Sequence, residues 1–170
     1  MALELVVPDA ARHEAWLAGH REWGPGRHED GFGIGPDDEV ESVEGFEAWV
    51  HRLHGRTSAR MWWIVDGDAV LGGVALRLGG DQVARLGHVG YGVRPTARGR
   101  GVATWALGEV LGRARGLGLP RLLVVCRDDN PASIATIERH GGALEAVVDE
   151  DHGRVRRYWI GLADRPSSAP

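Results

Sequence analysis

Residues 121–126 read RLLVVC, an apolar run held between Pro120 and a polar cluster. A run without alternation leaves no face for water, so it predicts a buried strand at the centre of a sheet. A helical pattern precedes it. Val102, Ala103, Ala106, Leu107, Val110, Leu111 and Ala114 form one apolar stripe that runs to about Leu117. Gly108 and Gly112 interrupt this stripe at a cost of roughly 1 kcal/mol each relative to alanine, so both are expected at places of close packing. A second helical pattern follows within 128–142, with Pro131 near its first turn and a glycine stop.

The remaining elements follow from the same rules. LELVV (3–7) is a short strand closed by Pro8, and Asp9 caps a helix through about Arg21. Residues 23–39 hold five glycines and two prolines and read as a loop. Ser42 caps a helix with Val43, Phe46, Trp49, Val50 and Leu53 on one face and Gly55 at its end. Strands are predicted over 59–65 and 69–78, joined across Asp66-Gly67-Asp68, and again over 84–93. ALEAVVD and RVRRYWIGL form a last hairpin around His152-Gly153, and 163–170 reads as a disordered tail. The predicted order is β-α-α-β-β-β-α-β-α-β-β, one mixed α/β domain over 1–162.

Composition narrows the function classes. The 170 residues contain no run near the ~20 apolar residues of a membrane span, and the start lacks the pattern of a secretory signal. The single cysteine, Cys126, excludes an internal disulfide framework and suits a reducing cytoplasm. Residues 1–60 carry twelve acids and six arginines, net −6, whereas 61–170 carry twelve acids and fourteen arginines, net +2. That split disfavours nucleic acid, which wants a broad positive surface. The histidine pairs His51/His54 and His13/His20 have no third ligand or cysteine cluster beside them, so no metal is expected.

One segment carries chemistry. VRPTARGRGVATWAL (93–107) places Arg94, Arg98 and Arg100 around Gly99 and Gly101 just where a helix begins. The first N–H groups of a helix lack intrahelical partners and carry the positive end of its dipole. Glycines beside them let an anion approach the main chain. A P-loop requires a lysine that the chain lacks, and a dinucleotide fingerprint follows the first strand of a βαβ unit, whereas this loop follows the fourth. Coenzyme A pyrophosphate remains.

On these residues the sequence resembles the GCN5-related N-acetyltransferase (GNAT) superfamily, and GHVGYGVRPTARGRGVA is similar to a bacterial subgroup of it. Arg98-Gly99-Arg100-Gly101-Val102-Ala103 fits the family's R/Q-x-x-G-x-G/A signature after the strand GYGVRP. Asn130-Pro-Ala-Ser133 and His-Gly-Gly resemble its second coenzyme A element. The resemblance implies a mixed, mostly antiparallel sheet flanked by helices and acetyl-CoA as donor. It implies that Tyr91, Gly92 and Val93 face the pantetheine arm with main-chain groups. Arg98, Gly99, Arg100, Gly101, Val102, Ala103 and Thr104 would then surround the pyrophosphate, with Asn130 and Ser133 contacting the pantetheine or nucleotide end.

Acetyl transfer to an amine needs a neutral nucleophile. A lysine-like amine with a pKa near ~10.4 lies roughly 4–5 kcal/mol from that form at pH 7. His88 is the candidate base, with alternation sending it to the face opposite Val93 unless a bulge intervenes. Where many relatives place a proton-donating tyrosine this chain has Ile137, so Tyr158, Tyr91 or solvent is the candidate acid. Glu22, Trp23, Asp30 and Trp62 are candidates for a cationic acceptor, with one of Trp62 and Trp63 in the core. The expected activity is transfer to a small-molecule amine by a monomer or homodimer. Acetylation of a protein amine and non-catalytic acyl-CoA sensing are the alternatives.

Overall fold

Both N-terminal helical segments begin on the side chains that the sequence marks. Asp9 Oδ1 accepts the Ala11 N–H at 3.0 Å and opens a 3-10 turn that runs into α1 (His13–Trp23). Ser42 Oγ accepts the Gly45 N–H at 3.1 Å and opens α2 (Val43–His54). Phe46, Trp49, Val50 and Leu53 of α2 are buried, whereas Val43 is exposed because it stands in the first turn, off the packed stripe. The computed structural model describes residues 1–24, 34–151 and 153–162. The expected tail 163–170, His152 and Asp30 lie outside the described residues.

The strands are β1 (Leu3–Val6), β2 (Ala59–Asp66), β3 (Ala69–Arg77), β4 (Val89–Val93), β5 (Arg121–Arg127), β6 (Ala143–Glu150) and β7 (Gly153–Gly161). They form one sheet in the order β1-β2-β3-β4-β5-β7-β6. RLLVVC is β5, in the interior of the sheet as its composition requires. Alternation along β2 divides the core in two. Trp62 and Ile64 pack with α4 (Val102–Gly116), and Trp63 and Val65 pack with α1 and α2.

The strand expected over 84–93 is a correction. Asp81–Leu86 forms a short helix, α3, and β4 starts only at Val89. Gly80 and Gly87, with φ of +84° and +77°, bracket this turn, and Asp81 and Arg85 sit at the ends that suit the helix dipole. The two helix glycines also differ from each other. A Cβ on Gly108 would lie 3.1 Å from the His140 ring of the segment after α5 (Pro131–Arg139), whereas one on Gly112 would meet nothing within 4 Å. Close packing therefore explains Gly108 and not Gly112.

All strand pairs are antiparallel except β4 and β5, which are parallel and register only at Val89↔Val124. Beyond that pair the sheet splits. Gly90–Val93 keep β3 on one edge and Val125–Arg127 keep β7 on the other, and no register joins them across the gap.

Candidate active site

The split opens into a cavity of about 480 Å³. Tyr91, Gly92 and Val93 line it from β4, and Arg98, Gly99 and Gly101 from the following loop. Val102, Ala103 and Thr104 come from the first turn of α4, and Asn130 and Ser133 from the start of α5. Every residue expected at the donor site lines this one cavity except Arg100, which is exposed.

The loop has the geometry of an anion cradle. Gly99 and Gly101 adopt φ of +72° and +79°, and a Cβ on either would meet nothing within 4 Å, so the space before them is open. No side chain caps α4. Its first intrahelical bond is Trp105 N–H to Gly101 O at 2.9 Å, which leaves the N–H groups of Val102, Ala103 and Thr104 without intrahelical acceptors. A diphosphate fits that donor set, and an extended amide-bearing chain fits the free edge of β4.

The three arginines have separate roles. Arg94 donates from Nε to Glu22 at 2.5 Å and turns away from the cavity. Arg98 donates from Nε to Val93 O at 2.9 Å, lies 4.8 Å above the Trp23 ring and lines the cavity. Asn130 Oδ1 accepts the Ser133 N–H at 3.0 Å, so it caps α5 as well as lining the cavity.

Sequence reasoning missed Ala132, Ala135, Thr136 and Arg139, which line the cavity from α5. Their spacing of three, one and three is a helix face, small at one end and cationic at the other. The Thr136 and Thr104 hydroxyls meet at 3.3 Å and join α5 to the first turn of α4. Arg139 has no ion pair or hydrogen bond among the described residues, so its guanidinium is available to an anion.

Of the proposed proton carriers, His88 and Tyr158 do not line the cavity and Tyr91 does. His88 stands just before β4, 6.3 Å from the Trp159 ring, and its Nδ1 accepts the Leu123 N–H at 2.9 Å. Burial lowers its pKa below the ordinary histidine value. The amide fixes the neutral tautomer with the proton on Nε2, and the nitrogen that would take a second proton already faces a donor. This corrects the expectation of His88 as the base. His88→Gln is therefore expected to leave the pH–rate profile unchanged. A lowered folded pKa favours the folded state above the unfolded value near ~6.5, and that stability is lost as pH falls. The variant should accordingly lose less stability on acidification below that pH than the parent does. Loss of the alkaline-rising limb of the rate profile would restore the base role.

Tyr158 is 1% exposed, donates its hydroxyl to Glu138 at 3.0 Å and packs in the core beneath α4. Burial raises its pKa, and its proton is committed to Glu138, which corrects the expectation of Tyr158 as the acid. Of the two tyrosines, Tyr91 is the one that lines the cavity. Burial pushes the Cys126 thiol up to about 11, as befits a small apolar residue and not a nucleophile.

The acceptor residues also separate. Glu22 and Trp23 end α1 and touch the donor loop. Trp62 is buried, lies 5.0 Å beneath Arg113 near the far end of α4, and borders a different cavity of about 460 Å³ beside His54, Arg60 and Met61. It is core, as is Trp63, so alternation put one tryptophan in each of two buried layers. Among the described residues no three metal-ligating side chains gather, and no helix is long and apolar enough to cross a membrane.

The family model of the acetyltransferase (GNAT) domain matches residues 28–143. No curated protein sequence matches the chain. Among solved structures, RimL, a ribosomal L7/L12 α-N-protein acetyltransferase in complex with coenzyme A, superposes with a TM-score of 0.72 at 22% identity, covering 95% of this chain and 96% of that one. The microcin C7 self-immunity acetyltransferase MccE, in complex with acetyl-CoA and AMP, gives 0.69 at 18% identity over 94% and 92%. A spermidine N-acetyltransferase chimera of SpeG from Vibrio cholerae and hSSAT gives 0.68 at 16% identity over 95% and 96%.

Proposed function

Because the chain belongs to the acetyltransferase (GNAT) domain family, whose donor is acetyl-CoA, we propose that it acetylates the primary amine of a small molecule by direct transfer. One observation carries the reading. The open edge of β4 and the uncapped start of α4 line the same cavity, so an extended arm and a diphosphate can be held at once. When bound, acetyl-CoA supplies the thioester carbonyl that an amine attacks and the thiolate that leaves.

The chain's own groups bind and orient. Main-chain N–H groups from Gly99 to Thr104 would take the phosphates, and Arg98 and Arg139, which line the same cavity, would add positive charge. Tyr91 lines the same wall. Alignment of this kind supplies much of the rate of a bimolecular transfer.

A second reading, acetylation of a peptide α-amine, is favoured by the likeness to RimL. Free-thiol release is measured with acetyl-CoA against amino acids, polyamines, amine-bearing antibiotics and short peptides. A kcat/KM at least about tenfold higher on one small amine than on any peptide is expected, equivalent to about 1.4 kcal/mol. Preference for peptides supports the second reading, and donor binding without thiol release from any amine overturns both.

A further inference from the structure

We propose that Glu22 is a positioning residue for the phosphate-binding loop, holding it from the far side of the sheet while Arg94 cancels its charge. The inference rests on that loop taking the donor's phosphates. Glu22 is the penultimate residue of α1, and both of its carboxylate oxygens are committed to the segment after β4. Oε2 accepts from Arg94 Nε at 2.5 Å, and Oε1 accepts from the Thr96 backbone N–H at 2.5 Å. Arg94 also donates from a terminal nitrogen to Val70 O at 3.3 Å, which fastens the pair to β3. The two side chains are only 18% and 19% exposed, so water screens them weakly.

The contact falls on the approach to the glycines of the loop. Thr96 is the middle residue of the 3-10 turn Pro95–Ala97, which delivers the chain to Arg98 and then to Gly99 and Gly101. Glycine-rich backbone has many conformations to lose on binding, and a clamp on its approach removes part of that loss beforehand. The next residue of α1, Trp23, lies beneath the Arg98 guanidinium. Two consecutive residues at the end of α1 thus grip both ends of Arg94–Arg98.

Charge makes the arrangement asymmetric. A carboxylate beside a phosphate site repels the ligand unless it is neutralised, and Arg94 is the group that does so. Thr96 and Arg94 together outweigh the opposing effect of burial and hold the Glu22 carboxyl below its ordinary range, so Glu22 stays ionised through neutral pH. Removing Arg94 should harm donor binding more than removing the Glu22 charge, and removing both should be milder than removing Arg94 alone.

The test titrates coenzyme A into the parent, Glu22→Gln, Arg94→Gln and the double variant, with steady-state kinetics for donor and amine. Glu22→Gln is expected to weaken the donor about tenfold and Arg94→Gln about thirtyfold, with the double variant no worse than Glu22→Gln. The kcat and the amine KM should stay within about twofold, a split that general destabilisation does not produce. Equal donor affinity across the four proteins overturns the proposal, as does a rise in the amine KM alone, which would make Glu22 an acceptor residue. If Glu22→Gln does not fold, Arg94→Lys carries the test: it keeps the charge cancelled and should lose less than Arg94→Gln, and equal losses overturn the proposal. A parent that binds no coenzyme A fails at the proposed function itself, before any variant is compared.

Discussion

Gly101→Asp is expected to weaken coenzyme A binding by at least about 100-fold, close to 2.7 kcal/mol, while the protein remains folded. Gly101 is the N-cap of α4 at φ +79°, and open space lies before it. An aspartate there brings a carboxylate to the N–H groups of Val102, Ala103 and Thr104, where it competes with the phosphates for donors and repels them. Each charge-assisted bond lost is worth roughly 1.5–3 kcal/mol. The fold itself pulls in two directions. Left-handed backbone costs a non-glycine residue about 1–2 kcal/mol, and a negative charge at a helix start returns about 0.3–1 kcal/mol. The melting temperature should therefore fall by less than about 6 °C. Calorimetric titration beside a thermal melt reads both quantities, and unchanged affinity would mean that the phosphates bind elsewhere.

Trp63→Ala produces the largest loss of stability. Trp63 is fully buried on β2, with its ring 6.0 Å from Phe46 and 6.1 Å from Trp49 in the layer beneath α1 and α2. Emptying such a site costs about 3–5 kcal/mol. For a domain of this size that is roughly 6–20 °C of melting temperature. Its indole nitrogen is buried with no hydrogen-bond partner among the described residues. Trp63→Phe removes that unsatisfied group along with some volume, and the two effects offset, so its cost should stay below about 2 kcal/mol. Thermal melts of the two variants decide the matter. A loss from Trp63→Phe as large as that from Trp63→Ala would contradict this, because it would mean that the indole itself, and not the filled volume, governs the site.

The readable parts of this molecule are those whose causes are local. RLLVVC announces a central strand because its run Leu122–Val125 has no polar residue to face water, and Ser42 marks a helix start through a bond to Gly45 three residues away. The donor loop is legible for the same reason. Gly99, Gly101 and the first turn of α4 leave main-chain N–H groups open through their own local backbone. Where the cause is distant, the sequence misleads. Arg94 stands in the sequence with Arg98 and Arg100 around the glycines, yet Glu22, seventy-two residues earlier, occupies it.

Arg139 reads as a surface residue, and it joins the site only because α5 packs beside α4 through Thr136 and Thr104. His88 reads as a base because its ring type suits the task, yet the amide of Leu123 takes the nitrogen that the task requires. Trp62 reads as an aromatic wall for a cation, but packing beneath Arg113 places it in the core. The segment 84–93 alternates well enough for a strand, and two glycines fold its first part into α3 instead.

Amide hydrogen exchange, recorded residue by residue with and without coenzyme A, tests the central claim most directly. Slowed exchange concentrated at Gly99–Thr104 and along the free edge of β4 is the predicted result. Saturating binding that leaves those amides unprotected, or protects a different helix start, would contradict it.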